Sequence, residues 1–175
     1  MSYRTRHVAN ALLVKARESN RQLTPMHVQK LLYFMHGWHL ALTGENLVDE
    51  PFEAWAYGPV IDSVYRELKP YGRSPVTSFI SEGDPTSPNA TRYLMVSKDD
   101  QQFWSLLDRV WSELGHFNAV ELSAMSHVQG SPWETTRTAG REHGDNSPII
   151  DNGEIERYFR ALAEQRQATG RVETA

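Results

Sequence analysis

The stretch that decides the fold is residues 24–44, which read TPMHVQKLLYFMHGWHLALTG. Thr24 followed by Pro25 is typical of a helix N-cap and first helical position, and Gly44 favours the helix end. Between them, apolar residues cover more than half of a helix circumference, which predicts a long, largely buried central helix. These residues are Val28, Leu31, Leu32, Phe34, Met35, Trp38 and Leu42.

The remaining chain predicts further helices and little strand. Apolar residues spaced four positions apart predict a helix over residues 5–19. A second helix is predicted to begin at Ser131-Pro132-Trp133-Glu134, which carries three helix-start signals together. Alternation over residues 52–57 predicts a short strand, with Gly58-Pro59 starting the next helix. Two extended pieces, 77–80 and 93–96, are expected to pair. The predicted fold class is mainly α: a single compact helical domain of about six helices with a small β element.

Length and composition exclude several classes of protein. The chain has 175 residues, no cysteine and a formal net charge of −4. Absence of cysteine excludes a disulfide scaffold and a thiolate metal site, and no apolar run is long enough to cross a membrane. No secretory leader is visible, so a cytoplasmic protein is expected. Residues 1–166 are expected to form the helical domain and residues 167–175 a frayed tail.

No catalytic or metal-binding constellation stands out. His36 and His39 lie three residues apart and could share a helix face, but two histidines do not make a metal site. Ser126 and His127 are neighbours, and adjacent helix residues point about 100° apart. Ser131 is better explained as a helix cap. We therefore expect no catalytic residue, no metal and no cofactor.

Charge is unevenly distributed along the chain. The first thirty residues contain six basic residues, ending with Lys30, against Glu18 alone, whereas residues 45–65 carry acids without a basic residue. Mutual neutralisation within the fold is one explanation, and a bipolar surface that steers a protein partner is the other. Because no recognition helix or stacking motif accompanies the basic end, a nucleic-acid partner is not expected.

The most distinctive segment is residues 54–60, AWAYGPV, in which two large aromatic residues meet a Gly-Pro break. Trp55 and Tyr57 are expected on one side of the strand, packed against the central helix. An aromatic pair of this kind can also anchor an interface. Trp133 needs a hydrogen-bond acceptor for its indole N–H if it is buried.

These residues resemble a known family. Several motifs look like the Panacea (SocA-like) antitoxin domain, which prophage-associated GepA-like proteins share. They are Leu31-Leu32-Tyr33-Phe34, Gly37-Trp38-His39-Leu40, the segment 52–60, Val64-Tyr65 and Tyr71-Gly72. Leu122-Ser123 with Ser126-His127 and Pro132-Trp133 is similar to its second signature, although many relatives have Thr-His where this chain has Ser-His. The resemblance covers residues from about 7 to 160. The residues taken as its signature or partner-binding set are Trp38, Trp55, Tyr57, Gly58, Pro59, Tyr65, His127 and Trp133.

The resemblance implies an antitoxin, often carried by prophages, that binds and neutralises a toxin protein encoded nearby. Some relatives act as adaptors that hand the toxin to a protease. Two other functions stay open from the residues: a metal-dependent hydrolase that uses His36, His39 and His127, and a DNA-binding autoregulator that uses the basic first helix.

Overall fold

Helix α2 (Pro25–Thr43) forms the centre of the computed structural model, which describes residues 2–84 and 87–172. The predicted cap at its start is present: the Thr24 hydroxyl accepts from the His27 N–H, and the His27 ring nitrogen accepts from the Thr24 N–H. Gly44 ends the helix in the left-handed region at φ +70°. The prediction of a central, mostly buried helix is confirmed.

Six further α-helices surround α2 in the part of the chain that the structure describes, so the mainly α fold class is confirmed. They are α1 (Thr5–Glu18), α3 (Asp62–Leu68), α4 (Gln101–Leu114), α5 (Ala119–Ser126), α6 (Pro132–Glu142) and α7 (Asn152–Val172), with a 3₁₀ turn at Lys69–Tyr71. None of the described helices has the length and apolar character that crossing a membrane requires.

Strands β1 (Glu53–Trp55) and β2 (Gly58–Val60) form an antiparallel hairpin around a two-residue turn. The prediction that Gly58-Pro59 starts a helix is wrong, because Gly58 has φ +106° and pairs with Trp55 across the hairpin. Pro59 lies opposite Ala54 in the hairpin. The Ala54 N–H points away from β2 and donates to the Pro148 carbonyl, so this pair of residues is not joined by a backbone hydrogen bond. Proline is therefore tolerated at position 59, although it has no N–H.

A second antiparallel pair consists of β3 (Glu82–Asp84) and β4 (Ser87–Arg92). The predicted pairing of 77–80 with 93–96 is wrong. The buried Asn10 side chain holds both segments instead: its Oδ1 accepts from the Ile80 N–H, and its Nδ2 donates to the carbonyls of Ile80 and Leu94.

Helix α7 packs against α2 through what we call the aromatic core. Phe159 forms T-shaped contacts with Tyr33, Phe34 and Trp38, at centroid distances of 5.8, 6.2 and 5.1 Å. Gly37 permits this approach, because a Cβ there would lie 2.3 Å from the Phe159 ring. Tyr33 also meets Phe52, which precedes the hairpin. The aromatic core therefore joins the central helix, the residue that precedes the hairpin and the last helix.

The C-terminal helices are longer than the sequence indicates. The polar residues from 140 to 147 predict a loop, but helix α6 continues to Glu142. Helix α7 continues to Val172, past the expected domain limit at residue 166, with exposed side chains over residues 164–169. Residues 173–175 of the expected tail lie outside the described residues. The boundary between domain and tail stays a prediction.

Candidate partner-binding site

Seven of the eight signature residues meet at the β1–β2 hairpin, and the eighth does not. Trp38 belongs to the aromatic core, where its ring packs on Phe159 and is covered by the Arg166 guanidinium, 4.7 Å from the ring centroid. The other seven form or directly contact the hairpin: Trp55, Tyr57, Gly58, Pro59, Tyr65, His127 and Trp133.

Four carbonyls of the hairpin each accept a hydrogen bond from a side chain of a surrounding helix. Helix α6 provides two donors, and α5 and α2 provide one each. The bonds join Arg137 Nη1 to Ala54 O (2.7 Å), Trp133 Nε1 to Trp55 O (2.8 Å), Ser123 Oγ to Tyr57 O (3.0 Å) and Lys30 Nζ to Pro59 O (3.0 Å). We call the hairpin with these four donors and His127 the hairpin site.

The turn of the hairpin requires glycine at position 58 for two reasons. Its φ of +106° is strained for any residue with a side chain. A Cβ at Gly58 would also lie 2.7 Å from Lys30 Nζ and 3.0 Å from His127 Nε2. The space that a side chain would fill is therefore occupied by two nitrogen atoms from two different helices.

The expected placement of Trp55 and Tyr57 on one side of a strand is wrong, because the turn separates them. Tyr57 lies in the turn with 73% of its surface exposed. Trp55 is half-buried, with its ring 4.7 Å from that of Tyr65 and its Nε1 donating to the Glu53 carboxylate at 2.7 Å. Trp55 is thus fixed by contacts within the fold, whereas Tyr57 is exposed to solvent.

His127 ends helix α5 and stacks on Trp133, with ring centroids 3.7 Å apart and planes 12° from parallel. Its Nε2 is buried and forms no hydrogen bond in the part of the chain that the structure describes. Burial lowers the pKa of His127, and the neighbouring Lys30 charge lowers it further. The ring therefore acts as a neutral, flat support for Trp133.

Lys30 is the most unusual residue of the site, because only 1% of its surface is exposed. None of the ion pairs among the described residues includes it. Burial without a carboxylate lowers the pKa of its amine to about 7. Its place in the sequence indicated that Lys30 belongs to a basic surface at the N-terminal end, but its burial excludes it from any such surface.

A groove of about 350 Å³ opens beside the hairpin, between the start of α2 and the start of α3. Its lining combines the aromatic rings of the hairpin and α3 with the first residues of α2. We call it the aromatic groove, and its lining residues are Pro25, Met26, Gln29, Lys30, Trp55, Ala56, Tyr57, Val60, Tyr65 and Gly72.

The sequence contained signals for some of the residues that were missed. Lys30 and the buried Gln29 are polar residues within the apolar stretch of α2, and such positions indicate a specific partner. Gln29 holds both the N–H and the carbonyl of Ile61, at 2.9 and 3.0 Å. Ser123 is part of the second family signature, but nothing in the sequence indicated its hydrogen bond to the hairpin. Arg137 lies in a polar helix, and nothing in its neighbourhood indicates its bond to Ala54.

The three histidines of the hydrolase hypothesis do not form one site. His36 is fully buried, with its Nε2 3.0 Å from Asn152 Oδ1, and burial lowers its pKa to about 4. His39 contacts the Glu45 carbonyl, and His127 lies at the hairpin site. Among the described residues, no group of three or more histidine, aspartate or glutamate side chains is arranged to hold a metal ion.

Several residues of the expected basic face have partners within the fold. Arg6 and Lys15 form ion pairs with Glu67 and Asp108, at 3.0 and 2.5 Å. The Arg17 guanidinium lies 3.8 Å from the centroid of the Phe79 ring. These contacts favour neutralisation within the fold over a free basic surface.

The fold is a mainly α domain packed around helix α2, and side chains of its helices hold an aromatic hairpin in place. The family model described as "Antitoxin SocA-like, Panacea domain" matches residues 28–134, and the protein belongs to this family. The matched range contains all eight signature residues and three of the four donors of the hairpin site. The family resemblance drawn from the sequence is confirmed.

A curated relative agrees with this assignment. The chain is 36% identical over 129 residues to the protein named "Antitoxin SocA" from Caulobacter vibrioides (strain NA1000 / CB15N), covering 74% of this chain and 68% of the relative. No solved structure matches the chain significantly.

Proposed function

We propose that the protein is the antitoxin of a toxin–antitoxin pair, and that it neutralises a protein toxin in the cytoplasm by direct, non-catalytic binding. An antitoxin role follows from the family and from the relative named for it. Direct binding is supported by one observation: an exposed tyrosine and an aromatic groove lie side by side on a hairpin held by four helix side chains.

This arrangement suits recognition of a protein surface. Large aromatic residues contribute most per residue to protein–protein affinity, and a rigid support reduces the entropy lost on binding. We assign Trp55, Tyr57 and Tyr65 to contact with the toxin, since all three line the groove. Gly58 and Pro59 shape the hairpin itself, and His127 and Trp133 support it from the surrounding helices. Trp38 supports the fold from the aromatic core.

The test is co-expression with the product of the adjacent gene. We expect that product to arrest growth alone, and we expect the wild-type antitoxin to restore growth and to co-purify with it as a stoichiometric complex. A neighbour that is not toxic, or one that is rescued without any complex, contradicts the proposal. The abundance of the toxin separates sequestration, which preserves it, from delivery to a protease, which depletes it.

A matched pair of variants assigns the contact to the hairpin. Tyr57→Ala removes the exposed ring beside the groove, and Tyr93→Ala removes another exposed tyrosine, whose ring packs near Phe79. We expect Tyr57→Ala to weaken the complex at least tenfold, because an aromatic anchor typically contributes about 2 kcal/mol or more. Tyr93→Ala should bind like the wild type. Equal behaviour of the two variants contradicts the assignment of the site.

A further inference from the structure

The aromatic groove presents mostly apolar side chains to a partner. Tyr57 is 73% exposed, and Met26, Trp55 and Tyr65 are half-buried along the lining. The volume of about 350 Å³ lies near the lower end of the range for ligand pockets, which is about 300 to 1,000 Å³. The groove is therefore large enough for a few apolar side chains.

Most polar side chains of the lining are already engaged within the fold. The buried side chains of Gln29 and Lys30 bond to backbone groups, and the Trp55 indole N–H donates to a carboxylate of its own strand. The hydroxyls of Tyr57 and Tyr65 are the remaining polar side-chain groups among the lining residues. A chain that enters the groove therefore finds few side-chain hydrogen-bond partners.

This shortage of hydrogen-bond partners favours a helix as the occupant. An extended segment carries one N–H and one C=O per residue, and burying these groups without partners costs free energy. A helix satisfies them within itself and binds a groove through apolar side chains at positions i, i+3, i+4 and i+7. The lining therefore matches the apolar face of an amphipathic helix.

Positive charge borders the groove beside Tyr65. Lys69 Nζ lies 5.9 Å from the centroid of the Tyr65 ring, and Arg73 follows Gly72, which belongs to the lining. Both basic residues are exposed, and neither takes part in an ion pair among the described residues. The neighbouring acid Glu53 already accepts from an indole N–H. The charge at this border therefore favours an acidic partner.

We infer that the aromatic groove receives an amphipathic helix of the toxin. Its apolar side chains pack on Trp55, Tyr57 and Tyr65, and acidic side chains flank them on the side of Lys69 and Arg73. The inference rests on the proposed function for the identity of the partner. The chemistry of the groove can be tested without the toxin.

Phage display tests this chemistry. A library of random peptides about 15 residues long, the length that an isolated helix needs in water, is selected on the wild type and counter-selected on Tyr57→Ala. We expect the enriched peptides to carry apolar residues at helical spacing with acidic residues beside them. A synthetic copy of the most enriched peptide should bind the wild type roughly tenfold more tightly than Tyr57→Ala, which lacks the exposed aromatic anchor.

A matched pair of substitutions in that peptide tests its conformation. Proline at a central position outside the apolar set should weaken binding by more than about tenfold, because proline breaks a helix. Alanine at the same position should leave the affinity unchanged, since alanine is compatible with a helix. Equal binding of the proline and alanine peptides would show an extended ligand and overturn the inference.

Charge reversal tests the basic border. Lys69→Glu combined with Arg73→Glu should weaken binding of the selected peptide about fivefold or more, because favourable ion pairs become like-charge contacts, and high salt should reduce this loss. The exposed control Lys98→Glu should bind like the wild type. Failure to enrich any peptide, enrichment of basic peptides, or equal binding by the double variant each overturns the inference.

Binding of the same peptide to the complex with the toxin separates this inference from the proposed function. We expect the antitoxin saturated with toxin to bind no peptide. If the wild type neutralises the neighbouring toxin and their complex binds the peptide as tightly as the free protein does, the groove inference is overturned and the proposed function stands. If the peptide binds as expected but no neighbouring toxin is neutralised, the proposed function fails and the chemistry of the groove stands.

Discussion

The aromatic core and the hairpin site are built from the same kinds of rings, but different forces hold them together. In the aromatic core, Phe159 meets Tyr33, Phe34 and Trp38 through ring contacts alone. At the hairpin site, both tryptophan rings also donate a directional bond, from Trp133 Nε1 to the Trp55 carbonyl and from Trp55 Nε1 to the Glu53 carboxylate. The first region holds the helices together, and the second fixes the shape of a surface.

The difference shows where this fold gives up stability. Packing of apolar rings gains free energy from burial and leaves few polar groups unsatisfied. Within the described residues each region leaves one buried polar atom without a partner, Tyr33 Oη in the aromatic core and His127 Nε2 at the hairpin site, but the hairpin site also buries the amine of Lys30. Such costs typically persist at functional sites. The comparison can be tested by breaking each region separately.

The largest effect is expected from Phe159→Ala in the aromatic core. Removing this buried ring leaves a cavity among Tyr33, Phe34 and Trp38 and should lower the free energy of unfolding by about 3 to 5 kcal/mol. Urea denaturation measures the change, with Tyr93→Ala as an exposed control. A loss below about 1 kcal/mol would show that the rings of α2 and α7 do not hold these helices together.

Lys30 gives the next effect, as a change in the pH dependence of stability. Its pKa is about 7 in the folded protein and near 10.5 in the unfolded chain. Between pH 7 and pH 9 the unfolded state holds the extra proton, so the free energy of unfolding should rise with pH, by about 2 to 3 kcal/mol. Lys30→Met should abolish this rise. Parallel pH profiles of variant and wild type would contradict a desolvated amine at position 30.

His36 should act in the acidic range and in the same direction. Burial holds its pKa at about 4, against 6.5 in the unfolded chain, so stability is complete above pH 6.5 and falls as the unfolded state gains a proton. We expect a loss of about 2 kcal/mol between pH 7 and pH 5 from this residue. His27 and His127, whose pKa values are also lowered, add to it.

The control for His36 is His36→Gln, measured by urea denaturation at both pH values. It removes the titrating ring, so its loss of stability from pH 7 to pH 5 should be smaller than that of the wild type by about the same 2 kcal/mol. An unchanged loss would assign the acid sensitivity to other groups.

The smallest effect on stability is expected from Tyr57→Ala. The ring is mostly exposed, so the free energy of unfolding should change by less than about 0.5 kcal/mol. Thermal unfolding measures this change. Together with a large loss of toxin binding, it would place Tyr57 at the opposite extreme from Phe159. A destabilisation as large as that of Phe159→Ala would make Tyr57 part of the core.

Elements with local signals could be predicted from the sequence. The caps at Thr24 and Ser131 start helices where the residue pattern indicated, because capping depends on neighbours within a few positions. Seven residues of the family signature meet at one hairpin, and their role in binding a partner stays a prediction. Trp38 belongs to the same signature, but it lies on the side of α2 that faces α7.

Features that depend on distant residues could not be predicted. Gly58-Pro59 has the composition of a helix start, and only its pairing with Ala54 and Trp55 makes it a strand. The burial of Lys30 follows from the hairpin packing onto α2, and the placement of residues 77–80 follows from the side chain of Asn10. The burial of Lys30 and the placement of residues 77–80 depend on contacts between residues far apart in the chain, whereas the hairpin pairs near neighbours whose composition also suits a helix start.

The clamped hairpin also has no open strand edge. On β1, the Ala54 N–H donates to the Pro148 carbonyl and the Ala54 carbonyl accepts from Arg137. On β2, Pro59 has no N–H, and its carbonyl accepts from Lys30. Open edges allow strand addition and aggregation, and these backbone and side-chain contacts close both edges of the hairpin. A partner therefore cannot extend this sheet and must bind through side chains, so substitutions at the surface can change the partner without changing the fold.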